Sequence, residues 1–308
     1  MCVSQSEPQD HGTVTLPRHC STTNQQQGDK VRGRYRKVVL LVIDGLRPDA
    51  ITQDGMPTLH GLLRRGWQAA SATTIRPSVT VAALTSLATG VSPERHGLSA
   101  ASLQSLGRVR GLKPLPLELK RLGVETSVVT TQLGGSARWL AGALLRMGGV
   151  TRLVPAPPAP GVVVDVGLRH AARNSNAELV VLYLNDADLA GHAWGWMSPA
   201  YLQAVRTIDR ALAPLEAHLE DPDTLIVLTA DHGGGGVLPQ DHDHPHPVND
   251  AIPVGMLGGR VMPGLVSNDP VRLLDIPPTV LNAFGGAAPA EYEGRVLHEA
   301  FMTELVWA

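Results

Sequence analysis

Five short β-rich runs punctuate the chain, at 38–43, 124–130, 179–184, 224–229 and 253–257. The segments between them carry helical periodicity. The clearest extends from Ser198 to Leu219, where Leu202, Val205, Ile208, Leu212, Leu215 and Leu219 recur every three or four residues. Ser198 suits an N-cap and Pro199 the first helical position. A second helix is expected to begin at Thr80 and continue through Leu87. Strands alternating with helices predict an α/β fold, a three-layer α/β/α sandwich with a mostly parallel central sheet.

The proline-rich stretch from Pro155 to Pro160 reads as an extended connector. Because the β/α rhythm resumes after it, it is expected to be a surface loop within one domain over residues 36–308. Residues 1–35 are polar and form an expected disordered tail. Of the 308 residues 43% are apolar, enough for a large core, and 26 basic residues nearly balance 28 acidic ones. That balance argues against a nucleic-acid groove. Cys2 and Cys20, the only cysteines, build no disulfide framework or CxxC metal motif. The opening residues lack the apolar core of a signal peptide, and no apolar stretch reaches the roughly 18–20 residues of a membrane span. A soluble, cytoplasmic protein is the expectation.

Chemistry gathers where the apolar runs end. The run 224–229 leads into Asp231-His232 and then four glycines, and the run 38–43 leads into Asp44-Gly45. Residues 179–184 lead into Asp186, Asp188 and His192, with Asp188 and His192 one helical turn apart. A fourth group, Asp241-His242-Asp243-His244-Pro245-His246, lies in an expected loop. Ligands in α/β proteins bind at the carboxyl ends of strands, and carboxylate and imidazole together suit Zn²⁺ or Mn²⁺. There are enough ligands for two ions. The glycines at 233–236 are expected to let the backbone bend around the site.

The ordered set resembles the alkaline-phosphatase superfamily, nearest its type I phosphodiesterase/nucleotide pyrophosphatase branch. The resemblance rests on Ile43-Asp44-Gly45-Leu46-Arg47-Pro48-Asp49, Thr80, Thr89-Gly90 and Pro93-Glu94-Arg95-His96-Gly97. It continues through Asp188-Leu189-Ala190-Gly191-His192, Thr229-Ala230-Asp231-His232-Gly233, the histidine loop and Asp275-Ile276-Pro277-Pro278-Thr279. It covers about residues 36 to 285. It implies a hydrolase of a phosphodiester, phosphate monoester or phosphonate, acting on a small phosphorylated molecule with two divalent ions, zinc before manganese.

Asp44, Asp231 and His232 would hold one ion together with the nucleophile, and Asp188 and His192 the other with a histidine from the 242–246 loop. The family's spacing ahead of Ile252-Pro253 points to His242, with His244 and His246 left open. The nucleophile in this branch stands nine residues before the threonine of the Thr-Gly pair, which is Thr80 here; Ser78 and Thr85 are competitors. The Pro-Asn pair that usually follows is replaced by Val81-Ala82. A sulfatase would need a Cys/Ser-x-Pro-x-Arg context that is missing. A phosphomutase normally carries an inserted cap domain, for which the roughly 90 residues between Gly97 and Asp188 leave limited room. A relative that only binds metal or a phosphorylated ligand is the third alternative. Loops 98–112 and 133–175 are the expected walls of the substrate site, with Trp194, Trp196 and Arg47 as candidate contacts.

Overall fold

The computed structural model describes residues 35–98, 111–131, 145–146 and 148–302. The expected tail therefore lies outside the described residues, apart from Tyr35, which is buried. So do most of loop 98–112 and the start of 133–175.

Eight strands form one sheet in the order β5-β4-β6-β1-β7-β8-β2-β9. These are β1 (Lys37–Ile43), β2 (Trp67–Ala69), β4 (Glu125–Thr131), β5 (Arg152–Ala156), β6 (Glu178–Leu184), β7 (Thr224–Thr229), β8 (Val254–Leu257) and β9 (Leu265–Ser267), while β3 (Ala72–Thr73) and β10 (Val271–Arg272) pair separately. From β5 to β7 all pairings are parallel, and only β8 runs antiparallel to its two neighbours. The five β-rich runs are β1, β4, β6, β7 and β8, each within a residue of the expected bounds at either end. Every residue of β7 and all but the first of β1 are buried. A strand covered on both faces loses the polar alternation of a surface strand, which is why these read as continuous apolar runs.

Helices α1 (Pro57–Arg65), α2 (Thr80–Thr89), α3 (Leu115–Arg121), α4 (Pro160–Arg173), α5 (Asp186–Trp194), α6 (Pro199–Ala211) and α7 (Ile276–Ala283) complete the fold. Helices α4, α6 and α1 touch in succession, whereas α2, α3 and α7 pack on one another. The expected helix from Ser198 to Leu219 is shorter. It starts as predicted, with the Ser198 hydroxyl accepting from the Tyr201 amide, but ends at Ala211 and gives way to a 3-10 turn over Ala213–His218. Pro214 lacks an amide and crowds the preceding residue, so the apolar spacing continues without the helix. The expected loop at Pro155 to Pro160 is also corrected. Pro155 and Ala156 finish β5 at the sheet edge, where a strand tolerates proline, and Pro160 opens α4. Among the described residues no helix is long and apolar enough to cross a membrane.

The register decides where chemistry can occur. Strand β1 lies between β6 and β7, with Ile43 opposite Leu184 and Val42 opposite Thr229. The three strands thus end side by side, and Asp44, the start of α5 and Asp231 leave the sheet together.

One long-range contact seats α1. Met56 at its N-cap has no capping side chain, and buried Asp209 of α6 instead accepts from the amides of Thr58 (3.1 Å) and Leu59 (2.8 Å). A buried carboxylate on first-turn amides satisfies donors the helix cannot satisfy itself. Asp209→Ala should lower unfolding stability by about 1–3 kcal/mol, measured by urea denaturation, without altering the number of cations bound.

Candidate metal centre

The turn after β1 is fixed from several directions. The Asp44 amide donates to the Leu184 carbonyl (2.8 Å), and the Asp44 carbonyl accepts from the Asp188 amide (3.1 Å), so α5 begins against this turn. Gly45 has φ +68°, and a Cβ there would lie 2.9 Å from Asp188 Cα. Its amide donates to Asp231 Oδ1 (3.2 Å), and its carbonyl accepts from Trp196 Nε1 (2.9 Å) and the Tyr201 hydroxyl (2.9 Å). The Tyr183 hydroxyl, from β6, donates to Asp44 Oδ2. Only Asp44 Oδ1 is left free.

The histidine tautomers follow from their carbonyl partners. Nδ1–H of His232 donates to Gly233 O (2.8 Å), that of His242 to Ser78 O (2.7 Å) and that of His192 to Gln240 O (3.0 Å). Each ring therefore turns a bare Nε2 inward. His232 Nε2 lies 3.3 Å from Asp44 Oδ1 and 3.6 Å from Asp231 Oδ2. His192 Nε2 and His242 Nε2 face each other at 3.2 Å, and lie 3.4 Å and 3.9 Å from Asp188 Oδ1. Asp44 Oδ1, Asp188 Oδ1 and Asp231 Oδ2 are buried with no hydrogen-bond partner.

Acceptors crowded together repel unless a proton or a cation lies between them, and burial strengthens the repulsion. Divalent cations resolve it, because carboxylate oxygens and neutral imidazole nitrogens held by outer hydrogen bonds are their ligands. Asp44, Asp231 and His232 offer ligand atoms within 4.8 Å of one another, and so do Asp188, His232 and His242. Burial pushes the Asp44 carboxyl well above the ordinary carboxylate range, and the charges of Asp231 and Asp188 push it further. Burial also raises Asp188 and lowers His242, keeping that imidazole neutral.

Thr80 opens α2, and its Oγ1 lies 3.2 Å from His232 Nε2. The competing hydroxyls are engaged elsewhere. Ser78 donates to the His242 carbonyl (2.7 Å), and Thr85 donates back to Val81 O (2.7 Å). Of the loop histidines, His242 alone reaches Asp188 and His192. His244 pairs with Asp241 at the surface, and His246 accepts from the Val248 amide as the cap of a short helical turn. Arg47 pairs with Asp49 and donates to Gly234 O, so its guanidinium braces the loop.

The glycine run has a different cause from the one expected. Only Gly235 of the four has a positive φ. Trp196 lies beneath the site, edge-on to His192 (5.1 Å) and His242 (5.7 Å). A Cβ at Gly191, Gly234 or Gly235 would come within 3.0 Å of this residue. The glycines make room for the indole. Trp194, by contrast, is exposed.

Tyr183, Tyr201 and Asn249 support the site without having been singled out in the sequence. Buried Asn249 accepts from the Gly236 amide and donates to His244 O, pinning both ends of the loop. A tyrosine one residue from the end of an aliphatic strand is the one local signal among them.

The family model described as type I phosphodiesterase / nucleotide pyrophosphatase matches residues 38–103 and 145–282. A 2,3-bisphosphoglycerate-independent phosphoglycerate mutase of Microcystis aeruginosa is 29% identical over 150 residues, covering 46% of this chain and 28% of its own. The chain thus spans about a quarter of the length of the curated relatives it matches. Among solved structures, murine ectonucleotide pyrophosphatase/phosphodiesterase 5 in complex with AMP superposes with a TM-score of 0.66 at 15% identity, over 82% of this chain and 96% of that one. An alkaline phosphatase superfamily protein from Vibrio parahaemolyticus gives 0.62 at 18%, over 86% and 70%. At these identities the structures establish the shared fold.

Because the folded pKa of Asp44 lies above its unfolded value, metal-free protein loses stability as pH rises through that folded value. Asp44→Asn removes this charge while keeping an oxygen for Tyr183. In chelator at pH 7.5 its denaturation midpoint should exceed that of the native protein. Added Zn²⁺ should raise the native midpoint more than the variant's. A variant destabilised in chelator would contradict the account of crowded acceptors.

Proposed function

The chain belongs to the type I phosphodiesterase/nucleotide pyrophosphatase family, and from that premise we propose that it hydrolyses a phosphodiester, phosphate monoester or phosphonate through Thr80. One observation carries this reading. Of the three candidate hydroxyls, Thr80 alone faces bare ligand atoms, with its Oγ1 3.2 Å from His232 Nε2. Asp44, Asp231 and His232 would hold one divalent cation beside Thr80, and Asp188, His192 and His242 a second. Their carboxylate and imidazole donors suit Zn²⁺, with Mn²⁺ as the alternative. When bound, two such ions supply Lewis acidity at the attacking and leaving oxygens.

The chain's own residues account for the remainder. Tyr183 and the Gly45 turn hold Asp44 still. No side chain caps α2, so its first-turn amides are available to phosphoryl oxygens where Thr80 projects. Thr80 Oγ1 would attack phosphorus in line as its proton passes to solvent, and the P–O bond to the alcohol would break on the far side with the leaving alkoxide taking up a proton. Water would then cleave the Thr80 ester to release a phosphate monoester from a diester, phosphate from a monoester or a free phosphonate from a phosphonate ester. Val81-Ala82 offer only their backbone to the substrate where the family has an asparagine. The solved complex of the murine relative with AMP supports a small phosphorylated substrate.

The curated relatives named as phosphoglycerate mutases favour one alternative, transfer of the phosphoryl group to a second substrate hydroxyl. The stretch between Gly97 and Asp188 supplies β4, β5, α3 and α4 to the core fold, which favours hydrolysis. Thr80→Ala should cut turnover of bis-p-nitrophenyl phosphate and p-nitrophenyl phosphate by about 10³-fold or more, while metal analysis still finds both cations. p-Nitrophenyl sulfate should be untouched by either protein. Activity retained in Thr80→Ala would overturn the reading.

A further inference from the structure

Ser78 stands two residues before Thr80, and nothing in the chemistry above uses it. Its side chain and its backbone are both given to one residue. The hydroxyl donates to the His242 carbonyl at 2.7 Å, and its own carbonyl accepts from His242 Nδ1–H at 2.7 Å. Both residues are buried, at 2% and 6% exposure, so neither bond is shared with solvent. We propose that Ser78 is a positioning residue, a two-point clasp that fixes the ring of His242 as a cation ligand and ties the ligand loop to the nucleophile's loop. This rests on the two-cation reading of the site.

The clasp does three things. Its carbonyl selects the tautomer in which Nε2 is bare; the Asp243 carboxylate, 3.4 Å from the same Nδ1 and exposed, is the weaker partner. It holds the ring flat on His232, with centroids 3.8 Å apart and planes at 14°, so the two ligand sets are packed together. It also steadies a loop that otherwise runs over the surface, where Val237 and Leu238 are exposed. That loop carries Gln240, whose carbonyl orients His192. Ser78 therefore supports two ligands of the second cation and none of Asp44 or Asp231. Hydrogen-bonded partners of ligand histidines typically contribute about 10–100-fold in metal affinity.

Ser78→Thr and Ser78→Val have the same shape, so any cost of fitting a larger side chain is common to both and only the hydroxyl differs. Full-length protein stripped with chelator would be titrated with Zn²⁺ against a chromophoric competitor. The Val variant keeps the carbonyl bond to the ring and loses only the hydroxyl bond to the His242 carbonyl, so it should bind its second ion about tenfold more weakly than the Thr variant, with the first ion held alike by both. Equal binding of both ions by the two variants would overturn the proposal alone. A native protein that takes up no second ion would overturn it together with the reading beneath it. Because the readout is cation binding, the result is independent of whether Thr80 proves to be the nucleophile.

Discussion

Carboxylate oxygens and unprotonated imidazole nitrogens are forced together at the ends of three neighbouring strands, and the surrounding structure is organised by that crowding. The parallel register places Asp44, Asp188 and Asp231 side by side. Backbone carbonyls take the Nδ1 protons of His192, His232 and His242, leaving bare nitrogens at the centre. In water such a cluster would disperse. Here the backbone forbids it, since Asp44 and Asp231 extend buried strands that cannot shift without breaking the sheet. Bound cations would balance that repulsion.

The supporting residues make sense as restraints against that repulsion. Tyr183 holds one oxygen of Asp44, and Trp196 and Tyr201 share the Gly45 carbonyl. Trp196 also fills the space under His192 and His242, which is why glycine is needed at 191, 234 and 235. The loop that follows is pinned at both ends by Asn249 and clasped between them by Ser78.

The five main strands were legible because short runs rich in β-branched residues, too brief for a helix, recur between helical segments, and in β1, β6 and β7 burial on both faces makes the run almost wholly apolar. The shortest strands were not legible, nor was edge strand β5, whose closing proline belongs to the stretch read as a connector. Strands β2, β3, β9 and β10 have two or three residues each, too few to carry a period. Helix α6 was overextended because hydrophobic spacing persists through Pro214 while helical geometry does not. Asp44, Asp188, His192, Asp231 and His232 stood out because they follow strands, whereas Thr80 and His242 were reached through the family's spacing, and the structure brings all seven, Asp44, Thr80, Asp188, His192, Asp231, His232 and His242, into one cluster. The role of the glycines was misjudged. Their sequence suggests freedom to bend, and only the position of Trp196, a long-range contact, reveals that they provide space. Ser78 reads locally only as a competing nucleophile for the same reason; its partner lies 164 residues away.

The central claim is that this cluster of bare acceptors is a two-cation site. Anomalous scattering at the zinc edge from crystals grown with Zn²⁺ tests it most directly. The account predicts two peaks per chain, one among Asp44, Asp231 and His232 and the other among Asp188, His192 and His242. A single peak, or none within reach of these side chains, would contradict it.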